Sequence, residues 1–145
     1  MAEDPIEVIR LAGEGSSVVL RITGKHEPAG ASEAEALVLF GEFVVETPFV
    51  SGTLATRLSP QDLRQWQESL DALDAGQDIA WCEGKPVPWL FIDRDHGDDR
   101  YHVTVKDHAA SPTAVTVTVP LTDAWFDDAY HRLDHLWDTL ALTPA

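Results

Sequence analysis

Cys82 is the only cysteine in this chain of 145 residues, so no internal disulfide can form and no zinc site can be built from several thiolates. A reducing compartment suits such a chain. Cations are scarce as well: 10 Lys and Arg stand against 25 Asp and Glu, a formal net charge of −15. A phosphate backbone would be repelled, which argues against DNA or RNA as a partner. No apolar run approaches the roughly 18 residues that a membrane-spanning helix needs. The opening Met1-Ala2-Glu3-Asp4-Pro5 has neither the basic region nor the apolar stretch of a signal peptide. The expectation is a cytoplasmic protein with no membrane partner.

Catalytic motifs are missing too. No serine lies in a Gly-x-Ser-x-Gly elbow, and Cys82 beside Trp81 reads as a buried structural thiol. Gly13-Glu14-Gly15-Ser16-Ser17 lacks the lysine and the following helix of a phosphate-binding loop. His131 and His135 are spaced to share a helix face, but Arg132 stands where a zinc protease carries its glutamate, so a solvated face is expected and no metal is assigned. Asp93-Arg94-Asp95-His96-Gly97-Asp98-Asp99 alternates carboxylates as a calcium loop does. Counted from Asp93, however, the sixth and twelfth positions are Asp98 and Thr104, where an EF-hand needs Gly and Glu. A polar hairpin tip is the expectation there. With so many carboxylates, no acid–base pair is singled out. No catalytic residue and no cofactor is assigned, and the balance is against an enzyme.

What is present describes one α+β domain over residues 1–145. A chain of this size buries about two-thirds of the surface exposed by its unfolded form, and 44% hydrophobic residues with 5 Trp, 5 Phe and 2 Tyr supply the core. Ile6–Leu11 and Ser17–Thr23 read as a hairpin about Gly13-Glu14-Gly15. Leu37–Val45 and Phe49–Leu58 follow as paired strands, with Gly52 a candidate bulge. Ile79–Cys82 reads as a short extended segment, and Trp89–Asp93, Tyr101–Asp107 and Ala114–Val119 after it read as an antiparallel meander. About seven or eight strands result.

Two amphipathic helices pack on these strands. The first, Ser59–Gly76, has Ser59 as N-cap, Pro60 at its first position, Asp62 in its first turn and Gly76 past its end. Leu63, Trp66, Leu70 and Leu73 make its buried stripe. The second, Thr122–Leu140, gathers Trp125, Phe126, Ala129, Tyr130, Leu133, Leu136, Trp137 and Leu140 on one arc and its aspartates and histidines on the other. No internal repeat, low-complexity segment or second-domain linker is expected.

Phe49-Val50-Ser51-Gly52, Leu58-Ser59-Pro60-Gln61-Asp62-Leu63 with Trp66, Leu70, Leu73 and Gly76, and Val115–Leu121 with the final helix together resemble an uncharacterised family of small actinobacterial proteins. More distantly, the order of elements is similar to that of small immunity proteins of bacterial polymorphic toxin systems. The first resemblance implies no activity and the second implies a protein partner.

Two functions follow as expectations. One is a non-enzymatic, immunity-like protein-binding domain whose acidity draws a basic partner. Its expected contact residues are the aromatic pair Trp81 and Trp89 and the turn residues Asp93, Asp95, His96, Asp98 and Asp99. The alternative is a small-molecule binder or cryptic enzyme with a pocket between the sheet and the C-terminal helix. Oligomeric state stays open, since an exposed strand edge either pairs with another copy or is blunted by charge.

Overall fold

The computed structural model describes residues 5–26, 37–95, 100–107 and 112–140. Strands β1 (Ile6–Gly13) and β2 (Ser16–His26) are joined by Glu14 and Gly15, both with positive φ, at 54° and 85°. Two left-handed residues give a turn whose twist matches that of the strands it connects, and the hairpin keeps Leu11 against Val18 and Ile9 against Leu20.

Strands β3 (Val38–Glu46) and β4 (Ser51–Leu58) complete a first antiparallel sheet in the order β1-β2-β3-β4. Pairing starts at Ser51 rather than at the expected Phe49, because the Thr47 hydroxyl accepts the amides of Phe49 and Val50 at 3.0 and 2.7 Å and holds them in the turn. Gly52 does not form a bulge, and the register of β3 with β4 runs unbroken from Glu46↔Ser51 to Leu39↔Leu58. The irregularities lie instead between Glu7 and Ile9 in β1 and between Ile22 and Gly24 in β2.

Helix α1 (Pro60–Asp74) begins as its caps dictate. The Ser59 hydroxyl accepts from Asp62 N while the Asp62 carboxylate accepts from Ser59 N, a reciprocal box that satisfies two otherwise orphaned donors. Beyond its end Gly76 takes φ +91°, a conformation that costs glycine little. Strands β5 (Ile79–Trp81), β6 (Trp89–Arg94), β7 (Arg100–Asp107) and β8 (Thr113–Pro120) then form the second sheet as an antiparallel meander, and α2 (Asp123–Leu140) follows. The fold is therefore α+β, with eight strands in two antiparallel sheets and two helices.

The element order occurs twice, four strands and then a helix each time. Between the two helices the correspondence extends to positions at one constant offset: Ser59 to Thr122, Leu63 to Phe126, Trp66 to Ala129, Leu70 to Leu133 and Leu73 to Leu136. Trp66 against Ala129 shows why residue identity hides it. Only the buried spacing is shared.

One hydrophobic core joins both sheets and both helices, from Val8 and Leu20 through Phe43, Trp66 and Val103 to Leu136 and Trp137. Burying each large side chain contributes about 1.5–3 kcal/mol, so the shared core, rather than helix propensity, stabilises the layers. Helix α2 lies along the outer edge of β1. There the Trp125 indole donates to the Arg10 carbonyl at 2.7 Å and the Arg132 guanidinium donates to the Glu7 carbonyl at 3.2 Å. Helix α1 packs on β5 and on α2. Strand β8 meets β1 and β2, an approach Gly13 permits: a Cβ there would stand 2.5 Å from Cδ of Pro120.

Candidate functional site

Trp81 is not a surface anchor. It is 2% exposed, its ring centroid lies 5.3 Å from that of Trp66, and its indole donates to the Asp62 carbonyl at 2.9 Å. Strand β5 carries it under α1, and burial of so large a ring outweighs display. Trp89 is half-buried one strand away. Phe91 stands edge-on to it at 6.3 Å, Lys106 Nζ sits 5.3 Å from its ring centroid, and its indole donates to the Lys85 carbonyl at 2.8 Å. The two tryptophans therefore serve different contacts and form no common aromatic edge.

Asp93 is exposed at the end of β6, across from His102. Asp95 donates its amide to the Arg100 carbonyl at 2.9 Å and brings its carboxylate to 3.8 Å from His102 Nε2. Strands β6 and β7 pair antiparallel, while His96, Asp98 and Asp99, where the polar tip was expected, lie outside the described residues.

Around Trp81 is a polar centre that motif reasoning did not find. The Asp62 side chain, almost wholly buried, takes the Lys85 ammonium in addition to its capping bond to Ser59 N. Cys82 adjoins it with φ 64°, and burial first, then repulsion from Asp62, push its thiol up to about 12, only partly offset by Lys85. A thiol held protonated in this way is no nucleophile at neutral pH. The centre ties the β5–β6 connection to the start of α1. Its one available signal was Asp62, which serves as N3 of the capping box.

The two helices pack side by side and present carboxylates to solvent. Glu68, Asp71 and Asp74 are exposed on α1, and Asp127, Asp134 and Asp138 on α2. Tyr130 links the layers, donating to Asp71 Oδ1 at 2.6 Å; burial, that bond, and the charges of Asp71 and Asp74 raise its hydroxyl well above the usual tyrosine range. Neither helix has a cation in its last turn. Carboxylates near the negative end of a helix dipole are unfavourable, so Asp74 and Asp138 are held at a cost to helix stability. Arg10, Arg21 and Arg100 pair with carboxylates of the strands and their turn, while Lys85 and Arg132 neutralise Asp62 and Asp128 of the helices and leave the exposed carboxylates toward the helix ends uncompensated by them.

An open groove of about 970 Å³ lies between α2 and the ends of β1 and β2. Glu7, Lys25, Asp128, His131, Arg132 and His135 supply its polar lining. Arg132 is fixed by Asp128 at 2.6 Å and by the Glu7 carbonyl, so it presents a positioned guanidinium. Among the described residues no three His, Cys, Asp or Glu side chains converge as a metal site, and no helix is long and apolar enough to cross a membrane. Phe49, 94% exposed on the β3–β4 turn, also escaped notice; the Thr47-Pro48 pair before it is the signal that it sits at a turn tip.

The family of unknown function DUF5959 matches residues 6–141, from the first strand through the last helix. That agrees with the uncharacterised family expected from these segments. None of the curated proteins compared with the chain matches it.

Proposed function

The chain belongs to the DUF5959 family, and we propose that it is a non-enzymatic protein-binding domain whose acidic helical layer docks a basic partner. The observation that carries this reading is the placing of Asp74 and Asp138 at dipole-disfavoured ends of two adjacent helices with no compensating cation. Local rules broken without a gain inside the fold point to a use outside it. The likeness of element order to immunity proteins supports a toxin domain as the form of that partner, a warrant of layout alone.

A combined Asp74→Asn, Asp134→Asn, Asp138→Asn variant, which leaves the Tyr130–Asp71 bond in place, tests both halves of the idea. Its melting temperature should exceed that of the wild type at low ionic strength, with the gain fading in high salt. Used as bait in a lysate of its source cells, the wild type should retain a stoichiometric basic protein that the variant loses. No such partner, or one held equally by both, would sink the proposal.

A second reading is favoured by the groove under α2, which is roomy enough for a small polar ligand and carries both signs of charge. It makes the protein a small-molecule binder or an enzyme on a small substrate. A compound from a metabolite and metal panel should then raise the melting temperature, and Arg132→Ala should abolish that rise. A panel without a hit above noise counts against it.

A further inference from the structure

We propose that β4 is a self-pairing edge, through which two copies of the chain join antiparallel across a two-fold axis into one continuous sheet. The other sheet edges each meet another element of the fold. Side-chain donors from α2 take carbonyls of β1, α1 covers β5, and β8 packs against β1 and β2. On the far side of β4, among the described residues, no paired strand and no backbone hydrogen bond is found. The strand is 8 residues long, has no proline, lysine or bulge, and carries Arg57 as its one charge. Edges left this plain pair readily with another strand.

Backbone parity fixes which groups are on offer. Thr47 N donates to Val50 O, so Gly52, Leu54 and Thr56 turn their amides and carbonyls toward β3. Ser51, Thr53, Ala55 and Arg57 turn theirs outward. The same alternation makes Arg10 of β1 face outward, where its carbonyl meets Trp125. A two-fold pairing centred on Leu54 sets Ser51 against Arg57 and Thr53 against Ala55 of the second copy. It is the register in which all four outward residues find partners.

Two features suit a second copy rather than a foreign strand. Glu46 lies beside Ser51 in the register, and both Glu46 and Arg57 are exposed without an ion pair among the described residues. Pairing places Arg57 of one copy and Glu46 of the other on the same face, flanking Ser51, about 10 Å apart at the backbone and within the joint reach of their side chains. Each interface repeats this twice, as a two-fold contact must. The same register brings the exposed Phe49 opposite Ser59 of the second copy, which borders a groove of about 280 Å³ with an apolar wall of Val38, Leu58, Pro86 and Val87 and a charged one of Arg57, Asp62 and Lys85. The exposed carboxylates at the far ends of the helices, Asp74 and Asp138, are not among these contacts.

Sedimentation velocity over a concentration series reads the association directly. The wild type should pass from monomer to dimer. Ala55→Pro removes an outward amide without touching the bonds to β3 and should leave a monomer with unchanged circular dichroism. Phe49→Asp, at a fully exposed tip, keeps the test intact if the proline variant fails to fold, and should also give monomer. Arg57→Glu should weaken association by roughly a hundredfold, tenfold for each of the two symmetry-related charge-assisted pairs, and Glu46→Arg added to it should restore dimer. A wild type that stays monomeric at every concentration, or a folded Ala55→Pro or Phe49→Asp variant that dimerises unchanged, overturns the proposal.

Discussion

Trp66→Ala is expected to cost about 3–5 kcal/mol of stability, the range for deleting a large buried ring whose site cannot collapse. Trp66 is 1% exposed at the centre of the α1 stripe, tilted 50° against Trp81, with Leu63, Leu70 and Leu73 on the same buried face. No one element can move in to fill the space, because α1 is held at its start by the Ser59–Asp62 box and the bond from Trp81. A domain of ordinary stability has only about 5–15 kcal/mol to lose. The urea midpoint should therefore fall steeply at unchanged slope.

The companion variant separates shape from polarity. Trp66 Nε1 is buried without an acceptor, whereas Trp81 Nε1 has the Asp62 carbonyl. Trp66→Phe therefore loses volume but no hydrogen bond, and should cost about 1–1.5 kcal/mol. Trp81→Phe removes one hydrogen bond from a carbonyl that keeps its helical partner, the Trp66 amide, and should cost about 0.5–1.5 kcal/mol beyond its own volume loss. If Trp66→Phe proved as damaging as Trp66→Ala, the indole nitrogen would have an unrecognised role and the packing account would fail.

The contrast between these tryptophans shows what was legible from residues alone. Helix α1 could be read with both ends because Ser59, Pro60, Asp62 and Gly76 act within a few residues of where they stand. The apolar arc of α2 was equally local, from Phe126 to Leu136. Trp81 was not legible, since three residues of β5 have no period to measure and the burying surface is α1, returned from earlier in the chain. Gly52 was a candidate bulge on composition, but a bulge is a property of two paired strands. The actual irregularities involve Glu7 and Ile22, ordinary strand residues. A pocket between sheet and final helix was foreseeable in outline, since α2 had to lie on a sheet. That its polar wall would come from Glu7 and Lys25, in β1 and β2, depended on which sheet edge α2 covered. The uncovered edge, β4, was undefined until strand order was known.

Alkali should weaken the fold through Cys82. In the native protein its thiol is pushed from 9.0 up to about 12, while in the unfolded chain it ionises near the ordinary value. Between about pH 9 and 12 the unfolded state has lost this proton and the native state still binds it, so native protein holds more protons and stability falls as pH rises. Below pH 9 both states are protonated and the thiol adds no slope. Across the whole window the loss from this one group approaches about 4 kcal/mol, at 1.36 kcal/mol for each unit of difference. Tyr130, whose hydroxyl is also raised, contributes in the same direction, so the comparison must be with Cys82→Ala, which retains Tyr130. Urea midpoints of the two proteins should run parallel up to about pH 9 and then diverge, the wild type falling faster. The side chain has a mechanical share as well: φ 64° is a left-handed conformation, and Cys82→Gly should recover about 1 kcal/mol of backbone strain against whatever packing the sulfur provides. Parallel curves for wild type and Cys82→Ala up to pH 11 would show that the thiol ionises equally in both states, and the buried polar centre around Asp62 and Lys85 would then have to be more open to water than its geometry indicates.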